Sequence, residues 1–156
     1  MAASIAQRVA ELNLVLPAVS TPSANYVPYS ISGNTVYVAG QVCVKDGKPT
    51  HTGKLGRDLD VAAGQAAARV CAINILAVLQ LACGGDLNKV TRCLKLLGFV
   101  NAAPEFTDVP LVINGASDLI VDVFGDAGRH ARSAVGVAAL PRGAAVEVEA
   151  VFAIRA

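Results

Sequence analysis

The segment from Gly128 to Phe152, GRHARSAVGVAALPRGAAVEVEAVF, constrains the fold of this chain more than any other. Residues 133–139 are small, apolar and compatible with a strand, and residues 144–152 alternate between apolar and polar types. Between them, residues 140–143 (LPRG) have the composition of a tight turn. The segment therefore predicts two strands joined as a β-hairpin.

The second predicted strand carries two acidic residues on one face. Glu147 and Glu149 alternate with apolar residues, so their side chains point to the same side of a sheet, about 7 Å apart. Arg129, His130 and Arg132 come just before the first strand. These charges are either the solvated face of an edge strand with surface cations beside it, or a functional site.

The predicted hairpin does not bring Arg132 and Glu147 together. A turn at 140–143 places Glu147 opposite Gly136 and Arg132 opposite Val151. The two charged residues are then about four positions out of register, roughly 13 Å along the ladder. If they share a site, we expect a second chain to bring them together.

The length and composition of the chain limit which architectures and which partners are expected. A chain of 156 residues is long enough for a hydrophobic core, and residues 1–156 are interpreted as a single domain. The chain is 54% hydrophobic but only 16% charged, which indicates that other subunits cover part of its apolar surface. A formal net charge of +1 gives no electrostatic case for binding nucleic acid or a membrane, so neither is expected as a partner.

The cysteines do not indicate a metal site. Cys43, Cys71, Cys83 and Cys93 are scattered, no CxxC pattern occurs, and the chain has only two histidines. With an N-terminal segment unlike a secretory signal, they predict a cytoplasmic protein with buried thiols. The longest apolar run, Cys71–Cys83, is too short to span a bilayer.

Hydrophobic periodicity and turn residues predict an α+β domain. The predicted elements are a helix over 4–13, an extended linker over 17–28, strands over 29–31 and 35–44, a polar loop over 45–57, a helix over 58–82, a strand over 90–100, a helix over 112–124 and the final hairpin. Residues 1–27 thus form a helix and linker that precede a core of residues 28–156. The two long helices cover one face of the sheet, and the uncovered face predicts an oligomer.

Gly40 lies inside the second predicted strand, where a glycine is unexpected. It indicates either a β-bulge alone or a close approach to the backbone, for example by a ligand.

Four motifs resemble the RidA (YjgF) family, whose members are also often labelled endoribonuclease L-PSP. They are PYS at 28–30, YVAGQV at 37–42, ARSAVGVAALP at 131–141 and VEVEA at 146–150. The resemblance extends from about Pro28 to Ile154. It implies a chorismate-mutase-like fold, a mixed β-sheet with two helices packed on one face, and a homotrimer around the other face with clefts between subunits.

The resemblance also implies an activity that needs no metal or cofactor. Characterised members hydrolyse reactive enamines and imines to 2-keto acids and ammonia. By position in the motifs, Arg132 corresponds to the arginine that binds the substrate carboxylate, and Glu147 to the glutamate that positions water. The remaining positions implied to contact the substrate are Tyr29, Gly40, Asn114 and Ala134. A guanidinium suits a carboxylate because it binds two oxygens at once, and a nearby carboxylate can activate water.

Three positions depart from the family pattern. Ala39 stands where Ser is common, Ala134 where Cys is common and His130 where Pro is common. His130 is interpreted as either a polar residue of the cleft or a surface group. Because contacts in the cleft have changed, a second hypothesis is a non-catalytic trimer that binds small carboxylates as a sensor or carrier. An endoribonuclease is less favoured, since neither histidine has an evident catalytic partner and no basic patch occurs.

Overall fold

A computed structural model describes residues 2–156 and has three α-helices and seven β-strands in this range. The helices are α1 (Ile5–Glu11), α2 (Val61–Ala82) and α3 (Val109–Phe124). The strands are β1 (Tyr29–Ser32), β2 (Thr35–Val42), β3 (Val44–Lys45), β4 (Lys48–Pro49), β5 (Val90–Asn101), β6 (Ala131–Val137) and β7 (Val146–Ile154). The predicted α+β class and the order of the main elements are confirmed.

Local sequence signals account for where the helices begin. Ser4 caps α1 through a capping box with Gln7, and the Asp60 side chain accepts a hydrogen bond from the Ala63 N–H at the start of α2. Helix α3 begins at Val109, three residues before the predicted start, because Pro110 is tolerated in a first turn that needs no N–H donor from it. The predicted polar loop over 45–57 contains part of the short β3–β4 hairpin.

The main sheet has five strands in the order β1-β2-β7-β5-β6. Strand β7 lies in its centre and pairs antiparallel with both β2 and β5, whereas β6 is an edge strand that pairs parallel with β5. The sheet is therefore mixed, as predicted. Both edges, β1 and β6, belong to the segments that carry the family motifs.

The predicted hairpin between the last two strands is wrong. Strand β5 lies between β6 and β7, so Arg132 is level with Leu96 of β5 and not with Val151 of β7. The four-residue turn is instead part of an eight-residue connection, residues 138–145, which contains a single 3-10 turn at Pro141–Gly143. This length lets the chain pass over the end of β5. A pattern of two short strands and a turn cannot distinguish this crossing from a hairpin.

Asn101, at the end of β5, holds the crossing in place. Its backbone N–H donates to the Ala145 carbonyl at 2.9 Å, and its side-chain amide donates to the carbonyls of Gly53 and Ala144. The Lys54 ammonium donates to the Asn101 side-chain oxygen at 2.8 Å and also to the Ala138 carbonyl. Asn101 is the one polar side chain in the buried core of the described chain, and these partners satisfy it.

Helices α2 and α3 pack together on one face of the sheet. Along β7 the side chains of Val146, Val148, Ala150 and Phe152 are buried against them, as the alternation predicted. Phe152 is fully buried, and truncating it to Ala would cost about 3–5 kcal/mol. All four cysteines are free and buried, which confirms the prediction for the thiols.

The other face of the sheet is open. It carries Glu147 and Glu149 together with apolar side chains, of which Tyr37 is 50% and Val135 42% exposed. Helix α2 is long and apolar enough to cross a membrane by length and composition, but half of its apolar window is buried inside the domain. Its hydrophobicity is thus accounted for by packing on the sheet.

Candidate functional site

Arg132 lies on the edge strand β6 and points toward the helix layer. It pairs with Leu96, a fully buried residue of the helix-facing side of β5, so the two side chains share that face. At the edge of the sheet no further strand covers this position, and Arg132 is only half-buried. Its guanidinium therefore lies beside α3 with access to solvent.

Two side chains of α3 hold the guanidinium. The Arg132 Nη1 donates to Asn114 Oδ1 at 2.8 Å and to Ser117 Oγ at 3.2 Å. Asn114 and Ser117 are three positions apart and therefore lie on one face of the helix. Within residues 2–156 the ion pairs are Arg57–Asp58 and Arg129–Asp126, so no carboxylate neutralises Arg132. It is a partly desolvated cation that is held by neutral groups.

His130 extends this set of hydrogen bonds. Its Nδ1 lies 2.6 Å from the Gly128 carbonyl and its Nε2 lies 2.9 Å from Ser117 Oγ. A carbonyl only accepts, so Nδ1 carries the proton, and Nε2 of the neutral ring accepts from the Ser117 hydroxyl. Burial lowers the pKa of His130, as does the nearby Arg132 charge, while the bond to Gly128 opposes this. Of the two interpretations of His130, the structure supports the cleft residue.

Arg132, Ser117 and His130 border a cavity of about 260 Å³. Its lining consists of Ser117, Asp118, Val121, Arg129, His130 and Arg132. A larger depression of about 610 Å³ lies at the start of α2, but there Arg57 and Asp58 pair with each other and Asp60 caps the helix. The smaller cavity is the better candidate because it alone of the two has a cation, Arg132, without an ion-pair partner in the described part of the chain.

Glu147 lies on the opposite face of the sheet, next to Gly40. A Cβ atom placed on Gly40 would come within 2.6 Å of Glu147 Oε1, so only glycine leaves room for the carboxylate as it stands. Strand β2 has a bulge here, since Ala39 and Gly40 together oppose the single residue Glu149. The predicted bulge and the predicted close approach thus both occur, and the group that approaches is a side chain of the protein.

The environment of Glu147 favours its neutral form. Partial burial raises the pKa of this carboxyl above its ordinary value, and the negative charge of Glu149 raises it further. No side chain or backbone group of residues 2–156 donates a hydrogen bond to it. A carboxylate that is short of stabilising partners and has a raised pKa is suited to accept a proton.

The six predicted site residues do not meet within one chain. Asn114 contacts Arg132, and Ala134 follows on the same face of β6. Tyr29 lies on β1, the opposite edge of the sheet and four strand spacings away, which is about 19 Å. Glu147 lies on the central strand with its side chain on the other face, about 10 Å along and 10 Å across the sheet from Arg132, and Gly40 lies on β2, one strand further away.

Ser117 was not predicted as a site residue, although it contacts both Arg132 and His130. The available signal was its position three residues after Asn114, which places both on the same side of a helix. Among residues 2–156, no group of three His, Cys, Asp or Glu side chains is arranged to hold a metal ion.

Comparison with known proteins gives consistent matches along the chain. Residues 6–153 match the family described as YjgF/chorismate mutase-like, putative endoribonuclease. Protein TCP17 of Trypanosoma cruzi is 51% identical over 147 residues, which are 94% of this chain and 91% of that protein.

Two crystal structures are similar over nearly the whole chain. One, a protein of unknown function from Agrobacterium tumefaciens, is 52% identical with a TM-score of 0.90, and the match covers 97% of this chain and 94% of that one. The other, a putative endoribonuclease from Shewanella oneidensis, is 33% identical with a TM-score of 0.93, and the match covers 97% of this chain and 100% of that one.

Proposed function

Because the chain belongs to the YjgF/chorismate mutase-like, putative endoribonuclease family, we propose that it hydrolyses small carboxylate-bearing enamines and imines to 2-keto acids and ammonia. Family membership and the chorismate-mutase-like fold confirm what the motifs predicted. The activity itself is the proposal, and the sections of the molecule that support it are the cavity at Arg132 and the carboxylate at Glu147.

The observation that carries the proposal is that Arg132 has no ion-pair partner within residues 2–156 and borders a cavity. A half-buried guanidinium that is held by neutral groups and open to a cavity binds an anion in preference to a neutral ligand. A carboxylate fits because its two oxygens match the spacing of two guanidinium N–H groups. A cavity of about 260 Å³ suits a small substrate, such as an imino acid of a few carbon atoms.

The chemistry proposed for Glu147 follows from its raised pKa. The carboxylate accepts a proton from water as the water oxygen attacks the imine carbon, and it then transfers this proton to the substrate nitrogen. The carbon–nitrogen bond of the resulting carbinolamine then breaks, ammonia leaves and the carbonyl of the 2-keto acid forms. In this second step Glu147 accepts the proton of the carbinolamine hydroxyl and passes it to the leaving nitrogen, so that the carboxylate is restored for the next turnover.

This mechanism requires two chains, and we propose a homotrimer. The open sheet face is partly apolar, and the two sheet edges carry different halves of the predicted site, Arg132 on β6 and Tyr29 on β1. A head-to-tail arrangement that closes into a ring places unlike edges of neighbouring chains near each other. In such an assembly Glu147 of one chain and Arg132 of another can border one cleft.

The test measures release of 2-keto acid from imino acids that an amino-acid oxidase generates in situ, relative to the spontaneous rate. Arg132→Ala is expected to raise KM at least about tenfold, because a charged hydrogen-bonded contact to the carboxylate is lost. Glu147→Gln is expected to lower kcat by about 10²-fold or more, because proton transfer is lost.

Each variant has a matched control in the same region. Glu149→Gln removes an acid two residues away on the same sheet face, and Arg129→Ala removes a cation of the same cavity that is already paired with Asp126. Both controls should stay within a few-fold of wild type. Equal losses in Glu147→Gln and Glu149→Gln would argue against a specific role for Glu147.

Two other functions are outcomes of the same experiment. A protein that binds pyruvate through Arg132 but accelerates no imine hydrolysis is a carboxylate-binding module, and Glu147→Gln then leaves its affinity unchanged. The name of the Shewanella oneidensis relative favours RNA as a substrate, so cleavage of a labelled single-stranded RNA is assayed alongside. RNA cleavage that is lost in Arg132→Ala would replace the deaminase proposal.

A further inference from the structure

A chain of hydrogen bonds runs from the backbone to the guanidinium of Arg132. It connects the Gly128 carbonyl to His130 Nδ1 (2.6 Å), His130 Nε2 to Ser117 Oγ (2.9 Å) and Ser117 Oγ to Arg132 Nη1 (3.2 Å). In the proposed hydrolysis, neither the Gly128–His130 contact nor the His130–Ser117 contact has a role. His130 is half-buried beside the cavity and is not a surface group.

The donor and the acceptor of each of these hydrogen bonds follow from the chemistry of the groups. The Gly128 carbonyl fixes the proton on Nδ1, which leaves Nε2 as an acceptor. The Ser117 hydroxyl therefore donates to His130, and its lone pairs are directed toward Arg132. Without the imidazole, the hydroxyl hydrogen is free to rotate, and the serine no longer presents a fixed acceptor.

The guanidinium is thereby presented in one orientation. Nη1 has two N–H groups, and Asn114 and Ser117 accept from it, so both are used. The two N–H groups of Nη2 and the single N–H of Nε remain. Nε and one N–H of Nη2 point the same way and form a fork for two carboxylate oxygens.

The Ser117–His130 pair also has the arrangement of a nucleophile and its base, but its setting does not suit that chemistry. Ser117 lies in the middle of α3, where backbone N–H groups are used in the helix and cannot stabilise an oxyanion. The hydroxyl also accepts from Arg132, which occupies the oxygen. The pair is better suited to positioning.

We infer that His130 is a positioning residue for Arg132, acting through Ser117, which makes the cavity select a carboxylate bound by Nε and Nη2 of the guanidinium. This inference rests on the proposed function in that the carboxylate belongs to the substrate. The Ser117–His130 contact would then determine how tightly the substrate binds, while the chemical step remains with Glu147.

The experiment is a double-mutant cycle on the full-length protein with pyruvate as the probe, measured by isothermal titration calorimetry, and with KM and kcat for imine hydrolysis. Ser117→Ala and His130→Leu are each expected to raise Kd and KM about fivefold, as for one hydrogen bond, with kcat changed less than twofold. The double variant should be no worse than either single one, because both act through one contact.

Rescue separates positioning from a purely structural role. His130→Gln keeps an oxygen that can accept from Ser117, so its Kd should return to within about twofold of wild type. Leu111→Ala, at an exposed position of α3 outside the cavity lining, should leave Kd unchanged. Additive effects of Ser117→Ala and His130→Leu, or a loss of affinity in His130→Gln equal to that in His130→Leu, would overturn the inference.

Failure of the proposed function has a different signature. Pyruvate binding with this pattern of Kd values but no imine hydrolysis would support the role of His130 and contradict the deaminase. Imine hydrolysis in wild type, with additive effects of Ser117→Ala and His130→Leu on Kd, would support the deaminase and contradict the role of His130. The absence of both pyruvate binding and imine hydrolysis in wild type would contradict both.

Discussion

Arg132 at the sheet edge and the carboxylates at the sheet centre differ in how far their own chain surrounds them. Arg132 is held by Asn114 and Ser117 of its own chain and is open to a cavity that its own chain lines. Glu147 lies on the uncovered face of the central strand, beside a second acid and against the backbone of Gly40. Arg132 is thus positioned by contacts within a single chain, whereas Glu147 lies on a face that a single chain leaves open.

Because of this difference, we expect substrate binding and catalysis to depend on the assembly to different degrees. The proposed carboxylate ligand needs only the Arg132 cavity, which a single chain lines. In the proposed hydrolysis, attack by water requires Glu147 near the bound substrate, but Arg132 and Glu147 lie on opposite faces of one sheet. We therefore expect disruption of the assembly to abolish turnover while leaving much of the affinity for a carboxylate.

The largest expected effect comes from a charge on the open face. Tyr37→Lys places an ammonium on a side chain that is 50% exposed in the single chain, and it should shift the protein to a monomer in size exclusion. Turnover should fall to the spontaneous rate, whereas Kd for pyruvate should rise by less than about tenfold. Leu111→Lys, at a similarly exposed position on α3, is the control and should leave the assembly intact. A monomeric Tyr37→Lys with wild-type turnover would contradict the two-chain site.

The next effect tests what holds the cation side in place. A Cβ on Gly115 would lie 2.1 Å from the Gln65 carbonyl of α2, so Gly115→Ala forces the two helices apart. The free energy of unfolding should fall by about 3 kcal/mol, the upper range for overpacking. Because Asn114 and Ser117 move with α3, pyruvate affinity should fall as well. In Gly136→Ala the new Cβ meets ordinary contacts of 3.5 Å or more, and urea unfolding should show a change below about 1 kcal/mol.

A smaller effect is expected on the carboxylate side. In Gly40→Ala the new Cβ would overlap Glu147 Oε1, but the end of a flexible side chain can rotate away. The protein should therefore fold with nearly wild-type stability. We expect kcat to fall about tenfold because the carboxylate is displaced by about an ångström or more, while Kd for pyruvate is unchanged. Unchanged kcat with Glu147 rotated would show that its position in the single chain is not the functional one.

The sequence allowed the elements of this fold to be predicted better than their pairing. The alternation in VEVEA gave the correct faces of β7, and the caps gave the start of α2, because both depend on local geometry. The hairpin prediction failed because the strand inserted between β6 and β7 is residues 90–101, about 30 residues earlier in the chain. No local sequence pattern indicates that a strand from a distant part of the chain lies between two consecutive strands.

The site was predicted in part for the same reason. Motif positions identified Arg132, Glu147 and Asn114, and the structure brings the first and third of these into contact. Ser117 and His130 were not recognised as a pair because 13 residues separate them and the contact depends on how α3 lies against β6. Gly40 was recognised as unusual, but only the fold shows that a side chain of the same protein approaches it.

The smallest expected effect is on the pH dependence of stability, where the two regions should differ in sign. The pKa of Glu147 is raised in the folded state by burial first and Glu149 second, so the native protein binds the extra proton and wild-type stability falls as pH rises above about 4.5. Glu147→Gln removes this loss and should be more stable than wild type at pH 7, but not at pH 4. Its half-exposed position limits the difference to below about 1 kcal/mol.

The pKa of His130 is lowered, with burial as the main cause and Arg132 as a further one, while Asp118 and Arg129 also face the cavity. The unfolded chain then binds the extra proton, so this group makes the protein less stable as pH falls below about 6.5. His130→Gln should flatten the curve between pH 5 and pH 6.5 and leave pH 8 nearly unchanged. Urea midpoints from pH 4 to pH 8 measure both variants. Curves that change in the same direction for Glu147→Gln and His130→Gln would contradict the separation of the two regions, because one raised and one lowered pKa require opposite slopes.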